Sequence, residues 1–163
     1  MSPSQIDERV VLDRIGVLDR MIAELRRLPT EDLGAFQEDP RTPAAAESFL
    51  RRALEGLMDL GRHLLAKGFA LPVNEYAAIA DRLQEVGVLQ PSEASLLRDM
   101  AKYRNRMVHF YNEITVSELY SIITEELDDF ATIQSAITTW LDQHPEQVNR
   151  GASADDSSES EPA

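Results

Sequence analysis

Apolar residues recur every three or four positions along most of this chain, and this spacing constrains the fold more than any other feature. Near the start they follow alternating steps of four and three, as along one side of a packed helix, at Val11, Ile15, Leu18, Ile22 and Leu25. No segment alternates apolar and polar residues convincingly, as a half-buried strand does, and no repeat of about 20–50 residues is present. The pattern therefore predicts an all-α protein.

Proline, glycine and capping residues divide this pattern into four long helices and a short one. A connector rich in proline and acid follows Pro29, and Thr42-Pro43 has the capping residue and first-turn proline that begin a helix. Gly68 and Gly87 are expected to end the second and third helices. The predicted helices span about residues 6–28, 42–68, 74–86, 91–109 and 115–144.

Two further signals refine the second and fifth helices. Gly56 and Gly61 lie inside the second helix, where each glycine costs about 1 kcal/mol relative to alanine, so close packing of another helix is expected there. Thr115-Val-Ser-Glu118 is a capping-box pattern, and the apolar run that follows predicts one continuous helix to about His144.

The length of 163 residues is that of one domain. We predict an antiparallel helical bundle over residues 1–145 and a disordered, acidic, serine-rich tail over residues 146–163. The chain has no cysteine, and its first residues carry acids without a long apolar run. These features exclude disulfide and thiol chemistry, give no sign of a secretory signal or membrane span, and favour the cytoplasm.

The net charge is −13, and residues 151–163 contribute four acids and no bases, so residues 1–150 carry −9. A surface of this sign repels nucleic acid at long range, and any nucleic-acid activity would depend on a local basic site.

The stretch "YRNRMVHFY", residues 103–111, gathers chemistry that the rest of the chain lacks. Asn105 and His109 are four residues apart and share a helix face, whereas Arg104 and His109 are separated by about 140° on an ideal helix. One straight helix therefore cannot aim both at the same point. Either the helix loosens near His109, or a second copy of the chain supplies the complementary residues.

The residue types in this stretch suit cleavage of RNA without a metal. His109 could take a proton from a 2′-hydroxyl, Arg104 could clamp the phosphate, and Asn105 could orient either group. The spacing alone favours a structural alternative. Histidine and arginine at a helix C-terminus complement the helix dipole, and Tyr103 and Tyr111 could be core aromatics with hydrogen-bonded hydroxyls.

"RNRMVHFY" resembles the Arg-x4-His-x-Tyr motif of the HepT-like proteins, a branch of the HEPN superfamily. Arg104, His109 and Tyr111 stand at its three defined positions, and Asn105 matches the asparagine that commonly follows the arginine. The flanking segments are also similar, so that the resemblance extends from about Glu47 to Ile137. The acidic tail is not part of the family pattern.

The resemblance implies a homodimeric, metal-independent ribonuclease toxin without a cofactor, with Arg104 and His109 of both chains in one cleft. It also implies a minimal nucleotidyltransferase antitoxin that transfers AMP to Tyr111 and silences the toxin. The alternative is a non-catalytic helical subunit of such a nucleotidyltransferase, which would hold a nucleotide or an acceptor in the same groove. A third is an interaction bundle in which the motif only joins the dimer.

A polar stripe on the second helix is the remaining candidate. Arg52, Gly56, Asp59 and His63 follow steps of four, three and four, and could support the motif from the opposite side. An Asp59–His63 pair on a solvated or dimer-facing surface is the alternative. No metal site is expected from these residues.

Overall fold

The computed structural model of the protein describes residues 5–151, and seven α-helices make up most of this part of the chain. A 3₁₀ turn at Tyr111–Glu113 follows α5, and another at Pro145–Gln147 follows α7. Two short parallel strands, β1 (Ile6–Asp7) and β2 (Val148–Asn149), pair near the two ends of the described region. The helices are α1 (Glu8–Arg27), α2 (Leu33–Glu38), α3 (Arg41–Phe69), α4 (Tyr76–Glu85), α5 (Pro91–His109), α6 (Val116–Glu125) and α7 (Asp128–Gln143).

Helix α3 is the centre of the bundle. It contacts α1, α2, α4, α5 and α6, and eleven of its residues are buried. Four of its leucines, Leu57, Leu60, Leu64 and Leu65, are at most 1% exposed. Because burial of each such side chain contributes about 1.5–3 kcal/mol, this helix supplies much of the stabilisation of the fold. The predicted all-α bundle is confirmed.

Helix α2 lies in the segment that the sequence indicated as a connector. The Asp32 carboxylate caps it by accepting a 2.7 Å hydrogen bond from the backbone N–H of Ala35. Phe36 is fully buried, and its ring centroid is 5.5 Å from that of Tyr120 on α6. The six residues of this helix are too few to show a helical period, and for this reason the sequence pattern did not predict α2.

The prediction of one continuous helix after Thr115 was wrong, because the chain forms α6 and α7 with a break at Glu126 (φ −121°, ψ 4°). Four acids fall within five residues here, at Glu125, Glu126, Asp128 and Asp129. Like charges three and four residues apart destabilise a continuous helix, whereas acids in the first turn of a new helix are favourable. The break places Asp128 and Asp129 in that first turn.

Gly68 does not cap α3, as the sequence had suggested. The helix continues through Phe69, and Ala70 takes the left-handed conformation with φ 53°. Gly68 is buried, and a Cβ atom there would lie 2.8 Å from Cδ1 of Ile6, so its role is to admit the N-terminal strand. Gly87, by contrast, follows α4 with φ 84°, as expected for a helix-ending glycine.

Two further predicted boundaries, the start of the second predicted helix and the start of the tail, differ from the structure. Helix α3 begins at Arg41, one residue before Thr42, because the Asp39 carboxylate accepts a 3.0 Å hydrogen bond from the Arg41 backbone N–H. The predicted tail began at residue 146, but residues 145–149 form the second 3₁₀ turn and β2. Residues 152–163, which hold most of that tail, lie outside the described residues. Within residues 5–151, no helix combines the length and hydropathy needed to span a membrane.

His63 on α3 binds the backbone of strand β1 and holds it against the bundle. Its Nε2 atom accepts a 3.3 Å hydrogen bond from the backbone N–H of Asp7, which requires an unprotonated nitrogen. Burial lowers the pKa of His63, and the nearby Lys67 and Arg14 act in the same direction, while the Asp7 carboxylate opposes them. The native state therefore favours the neutral imidazole.

Gly61 gives the first testable prediction, because a Cβ atom there would lie 2.8 Å from Cγ2 of Ile79 and 3.1 Å from Cδ1 of Leu83. Ile79 is β-branched and fully buried on α4, so it cannot rotate away cheaply. We expect Gly61→Ala to lower the free energy of unfolding by about 1–3 kcal/mol, as overpacking does. Urea denaturation followed by circular dichroism measures this change.

Gly56 on the same helix is the matched control, since a Cβ atom there would meet nothing within 4 Å. Gly56→Ala is expected to raise the free energy of unfolding by about 0.5–1 kcal/mol through helix propensity. The close approach of α3 and α4 would be contradicted if both substitutions stabilised the protein equally.

The lowered pKa of His63 predicts a pH dependence of stability. Because the folded-state pKa lies below the unfolded value of about 6.5, the stabilisation is complete above that pH and is lost as pH falls through the folded pKa. His63→Gln keeps an acceptor for the Asp7 N–H without a titrating ring. Between about pH 7.5 and about pH 5.5 the variant should lose less unfolding free energy in urea than the wild type. An equal loss in both proteins would show that His63 does not hold this contact.

Candidate functional site

The motif stretch, residues 103–111, covers about the last two turns of α5, Phe110 and the first residue of the 3₁₀ turn. The helix stays regular to its end, since the backbone N–H of Phe110 still donates to the Arg106 carbonyl at 2.8 Å. Phe110 then leaves the helix with φ −134° and ψ 39°. The helix thus ends at His109, where one of the two predicted arrangements placed a loosening, but its last turns keep the regular spacing between Arg104 and His109. Arg104 and His109 remain on different faces of α5.

Arg104 points toward α3 and is only 21% exposed. Its Nε and Nη2 atoms both donate to Oε1 of Glu55, at 3.3 Å and 3.2 Å. Its Nη1 atom donates to Oδ1 of Asn105 at 3.3 Å. Glu55 also accepts from Nη1 of Arg51 at 3.3 Å, so one carboxylate lies between two guanidinium groups. Arg104 is thus held from α3 and from the neighbouring residue of its own helix.

Tyr76, the first residue of α4, supports the same guanidinium from another side. The Cζ atoms of Arg104 and Arg62 lie 4.6 Å and 4.8 Å from the centroid of its ring, within cation–π distance. The Tyr76 hydroxyl donates a 2.9 Å hydrogen bond to Oδ1 of Asp59. Burial raises the pKa of Tyr76, and the hydrogen bond to Asp59 raises it further, so the hydroxyl stays protonated as a donor.

His109 and Tyr111 face solvent. Tyr111 is 63% exposed and Phe110 is 57% exposed, and Val108 is also largely uncovered. Within residues 5–151 neither the His109 ring nor the Tyr111 hydroxyl makes a hydrogen bond. The alternative interpretation of Tyr111 as a core aromatic was therefore wrong, and the residues around His109 form an exposed patch that is partly apolar.

Arg106 and Tyr103 have structural contacts on the other side of the helix. Arg106 donates to both carboxylate oxygens of Glu118, at 2.6 Å and 3.3 Å, and lies over the Tyr103 ring. The Thr115 hydroxyl oxygen caps α6 by accepting a 3.0 Å hydrogen bond from the Glu118 backbone N–H. The Glu118 side chain binds Arg106 and does not return to the Thr115 backbone, so the predicted capping box is only half formed. Burial raises the pKa of Tyr103, whose hydroxyl is buried with no partner among the described residues.

The stripe predicted on the second helix is only partly assembled with the motif. Asp59 reaches Arg104 indirectly, through Tyr76, and also pairs with Arg62 at 3.5 Å. No Asp59–His63 pair forms within residues 5–151, because His63 binds the N-terminal segment. Arg52 is exposed and has no polar contact inside the described part of the chain. Of the three candidates, one supports the site.

Sequence reasoning missed Glu55 and Tyr76, the two residues that hold Arg104 from other helices. Glu55 lies one position before Gly56 in the stripe, and an acid four residues after Arg51 was the signal that could have found it. Tyr76 begins a helix and is one of only four tyrosines. Neither signal specifies a contact with Arg104, which is 49 residues away from Glu55.

The arrangement combines an anchored cation with an exposed imidazole that faces elsewhere. The guanidinium can bind a phosphate, and the imidazole can accept or donate a proton. Because these two groups face different directions, one chain does not bring Arg104 and His109 together. Among residues 5–151, no group of three or more potential ligands could hold a metal ion.

The sequence from residue 18 to residue 137 matches the family described as Ribonuclease HepT-like. No curated protein matches the chain. The family match spans α5 and the turn after it, so it includes every motif residue described above.

Several solved structures share the fold at low sequence identity. YutE from Bacillus subtilis, a cytosolic protein of unknown function, has a TM-score of 0.73 and 19% identity, with 90% of this chain and 98% of that one covered. A tri-AMPylated HEPN toxin of Shewanella oneidensis, in complex with its MNT antitoxin, has a TM-score of 0.71 and 18% identity, with 80% and 97% covered. A toxin–antitoxin structure with AMP-PNP gives 0.71 and 18%, with 78% and 97% covered. These likenesses concern the fold.

Proposed function

Because the chain belongs to the HepT-like ribonuclease family, we propose that it is the toxin of a toxin–antitoxin pair and cleaves RNA as a homodimer without a metal. The observation that carries this proposal is the separation of an anchored Arg104 from an exposed His109 on one regular helix. A single chain offers half of an acid–base site. Two chains related by a twofold axis would bring an arginine of one copy to the histidine of the other.

In the proposed reaction the 2′-hydroxyl of RNA attacks the adjacent phosphorus. His109 accepts the hydroxyl proton, the bond from phosphorus to the 2′-oxygen forms, and the bond to the 5′-oxygen breaks. The leaving 5′-oxygen takes a proton from solvent. Arg104 offsets the charge that the phosphate oxygens gain in the transition state, and Asn105 orients Arg104 through their 3.3 Å contact. The products are a 2′,3′-cyclic phosphate and a free 5′-hydroxyl.

The exposed patch at the end of α5 supports association with a second copy. Val108, Phe110, Tyr111 and Val116 are between 37% and 63% exposed, although large apolar side chains are usually covered. His109 lies among them, so that an interface at this patch would bring two copies of the motif together. A closed twofold dimer uses the same surface on both chains, which a patch containing the catalytic histidine satisfies.

A nucleotidyltransferase antitoxin is the proposed partner, and Tyr111 is the proposed acceptor of AMP. The Shewanella toxin with the same fold is tri-AMPylated in complex with its antitoxin. Here the phenol oxygen of Tyr111 would attack the α-phosphorus of ATP, lose its proton and release pyrophosphate. Its 63% exposure makes the hydroxyl reachable by a second protein. The bulky anionic product would exclude RNA phosphate by volume and by charge.

A second candidate function is a non-catalytic helical subunit of a nucleotidyltransferase. Two observations favour it: the net charge of −13, and the engagement of Arg104 by a carboxylate. Such a subunit would hold a nucleotide or an acceptor in the groove beside the motif. RNA cleavage by the protein purified without a partner separates the two functions.

Mixing two inactive variants tests the composite site. Arg104→Ala and His109→Ala should each abolish RNA cleavage, because each removes one group from every site. When the two purified variants are mixed and allowed to exchange subunits, half of the dimers are mixed, and each of these holds one complete site. The mixture should therefore recover roughly a quarter of the wild-type rate, measured on a fluorescent RNA.

Subunit exchange is checked by native mass spectrometry, with a His144→Ala variant as a control for loss of a histidine outside the motif. His144 stacks on Trp140 with ring centroids 4.3 Å apart. A mixture that stays inactive although mixed dimers form would refute a site shared between chains. Wild-type activity in His109→Ala alone would refute the catalytic assignment.

Tyr111→Phe tests the regulatory proposal. It removes the acceptor oxygen and keeps an exposed ring, so the variant should cleave RNA like the wild type but gain no AMP from the antitoxin and ATP. Intact-protein mass spectrometry measures the adduct. Tyr120→Phe, which loses a hydroxyl bonded to the Thr30 carbonyl, should still be modified. AMP transferred to Tyr111→Phe with unchanged stoichiometry would place the acceptor elsewhere.

A further inference from the structure

We propose that Glu55 and Tyr76 form a socket that positions Arg104 and leaves one edge of its guanidinium open for a phosphate. The inference deepens the proposed ribonuclease function and rests on it for the identity of the phosphate. We call Glu55, Tyr76 and Asp59, which holds the Tyr76 hydroxyl, the Arg104 socket. The socket residues lie on α3 and α4, and Arg104 lies on α5.

The hydrogen-bonding edges of the guanidinium carry the first step of the argument. A guanidinium has five N–H groups, one on Nε and two on each Nη. Glu55 takes the Nε group and one of the Nη2 groups, and Asn105 takes one of the Nη1 groups. Glu55 therefore uses the side of the guanidinium and makes no bond at the end of the fork, where Nη1 and Nη2 each direct one N–H. That end matches two phosphate oxygens, so Glu55 orients the arginine without consuming the edge that clamps the phosphate.

Tyr76 fixes the plane of the same group. The Arg104 Cζ atom lies 4.6 Å from the ring centroid, so that the ring limits how far the guanidinium can tilt. The ring is itself held by the 2.9 Å hydrogen bond from its hydroxyl to Asp59. Asp59 is in turn paired with Arg62, whose side chain also donates to the Asn74 carbonyl at 3.2 Å. These contacts connect the Tyr76 ring, through Asp59 and Arg62, to the backbone carbonyl of Asn74 just before α4.

The charges of the socket suit a positioning role. Glu55 lies between Arg51 and Arg104, so it is shared by two cations and neutralises neither completely. Its side chain is 25% exposed and that of Arg104 is 21% exposed, which leaves the pair at the protein surface and open to a ligand. A preorganised cation of this kind needs little rearrangement when charge develops on the phosphate.

Two conservative substitutions test the socket through catalysis. Tyr76→Phe keeps the ring and removes its anchor on Asp59, and Glu55→Gln keeps an acceptor and removes the charge. Each should lower kcat for RNA cleavage roughly tenfold with a smaller change in KM, because a misdirected arginine loses transition-state contacts. The loss in Tyr76→Leu, which lacks the ring, should be larger than in Tyr76→Phe.

Tyr120→Phe is the matched control for a purely structural effect. Tyr120 lies on α6, and its hydroxyl also donates to one oxygen acceptor, the Thr30 carbonyl, at 3.1 Å. This bond does not involve Arg104. We expect Tyr120→Phe and Tyr76→Phe to lower Tm to a similar extent, while only Tyr76→Phe lowers kcat. The positioning role would be overturned if kcat fell equally in both variants.

A measurement without RNA separates the socket from the proposed reaction. In ¹⁵N NMR spectra the Arg104 Nε–H signal, assigned by its absence in Arg104→Lys, should exchange slowly with water because Glu55 holds it. Its exchange should accelerate in Glu55→Gln and in Tyr76→Leu. Unchanged exchange in both variants would overturn the socket. A wild-type protein that shows the expected NMR behaviour but cleaves no RNA would retain the socket and refute the ribonuclease proposal.

Discussion

The burial of helix α3 is the constraint on which the rest of the structure depends. Neighbours pack on it from both ends of the chain, and its buried residues face them. Its polar side chains emerge on the opposite side, where Glu55, Asp59 and Arg62 follow one another at steps of four and three. That side meets the start of α4 and the last turns of α5. The position of the Arg104 socket thus follows from the packing of the core, because the buried side of α3 orients Glu55 and Asp59 toward the start of α4 and the last turns of α5.

The sequence predicted those features that depend on local periodicity. It indicated the helical class, the packing at Gly61 and the end of α4 at Gly87, because each depends on residues close in the chain. It failed at Gly68, where a glycine chosen for contact with Ile6 resembles a helix cap. In the site, too, local features could be predicted and contacts between helices could not. The divergence of Arg104 and His109 follows from helical spacing, whereas the partners of Arg104 lie on other helices, and one sequence contains no record of such contacts.

At the site, the carboxylates of this acidic chain pair with the arginines of the motif stretch. The two arginines of the motif stretch are each bound by a carboxylate, Arg104 by Glu55 and Arg106 by Glu118. These pairs keep both cations from acting as general attractors of nucleic acid, which would otherwise bind any exposed arginine through its phosphates. The open end of the Arg104 fork still admits one phosphate from the correct direction. An acidic protein with a single oriented arginine would therefore bind RNA weakly in general and depend on geometry at the cleaved bond.

His109 and Tyr111 impose competing demands on the same short segment. The helix ends between them, at Phe110, so the proposed catalytic residue and the proposed acceptor of AMP lie in differently directed pieces of backbone although only one residue separates them. A dimer that covered the whole patch would bring the histidine to the arginine of the second copy and would hide the tyrosine from a modifying partner. A dimer in which His109 faces the cleft and Tyr111 lies at its rim satisfies both demands. The bend at Phe110 permits this second arrangement, in which an AMP group on Tyr111 would lie at the entrance that the proposed RNA substrate would have to pass.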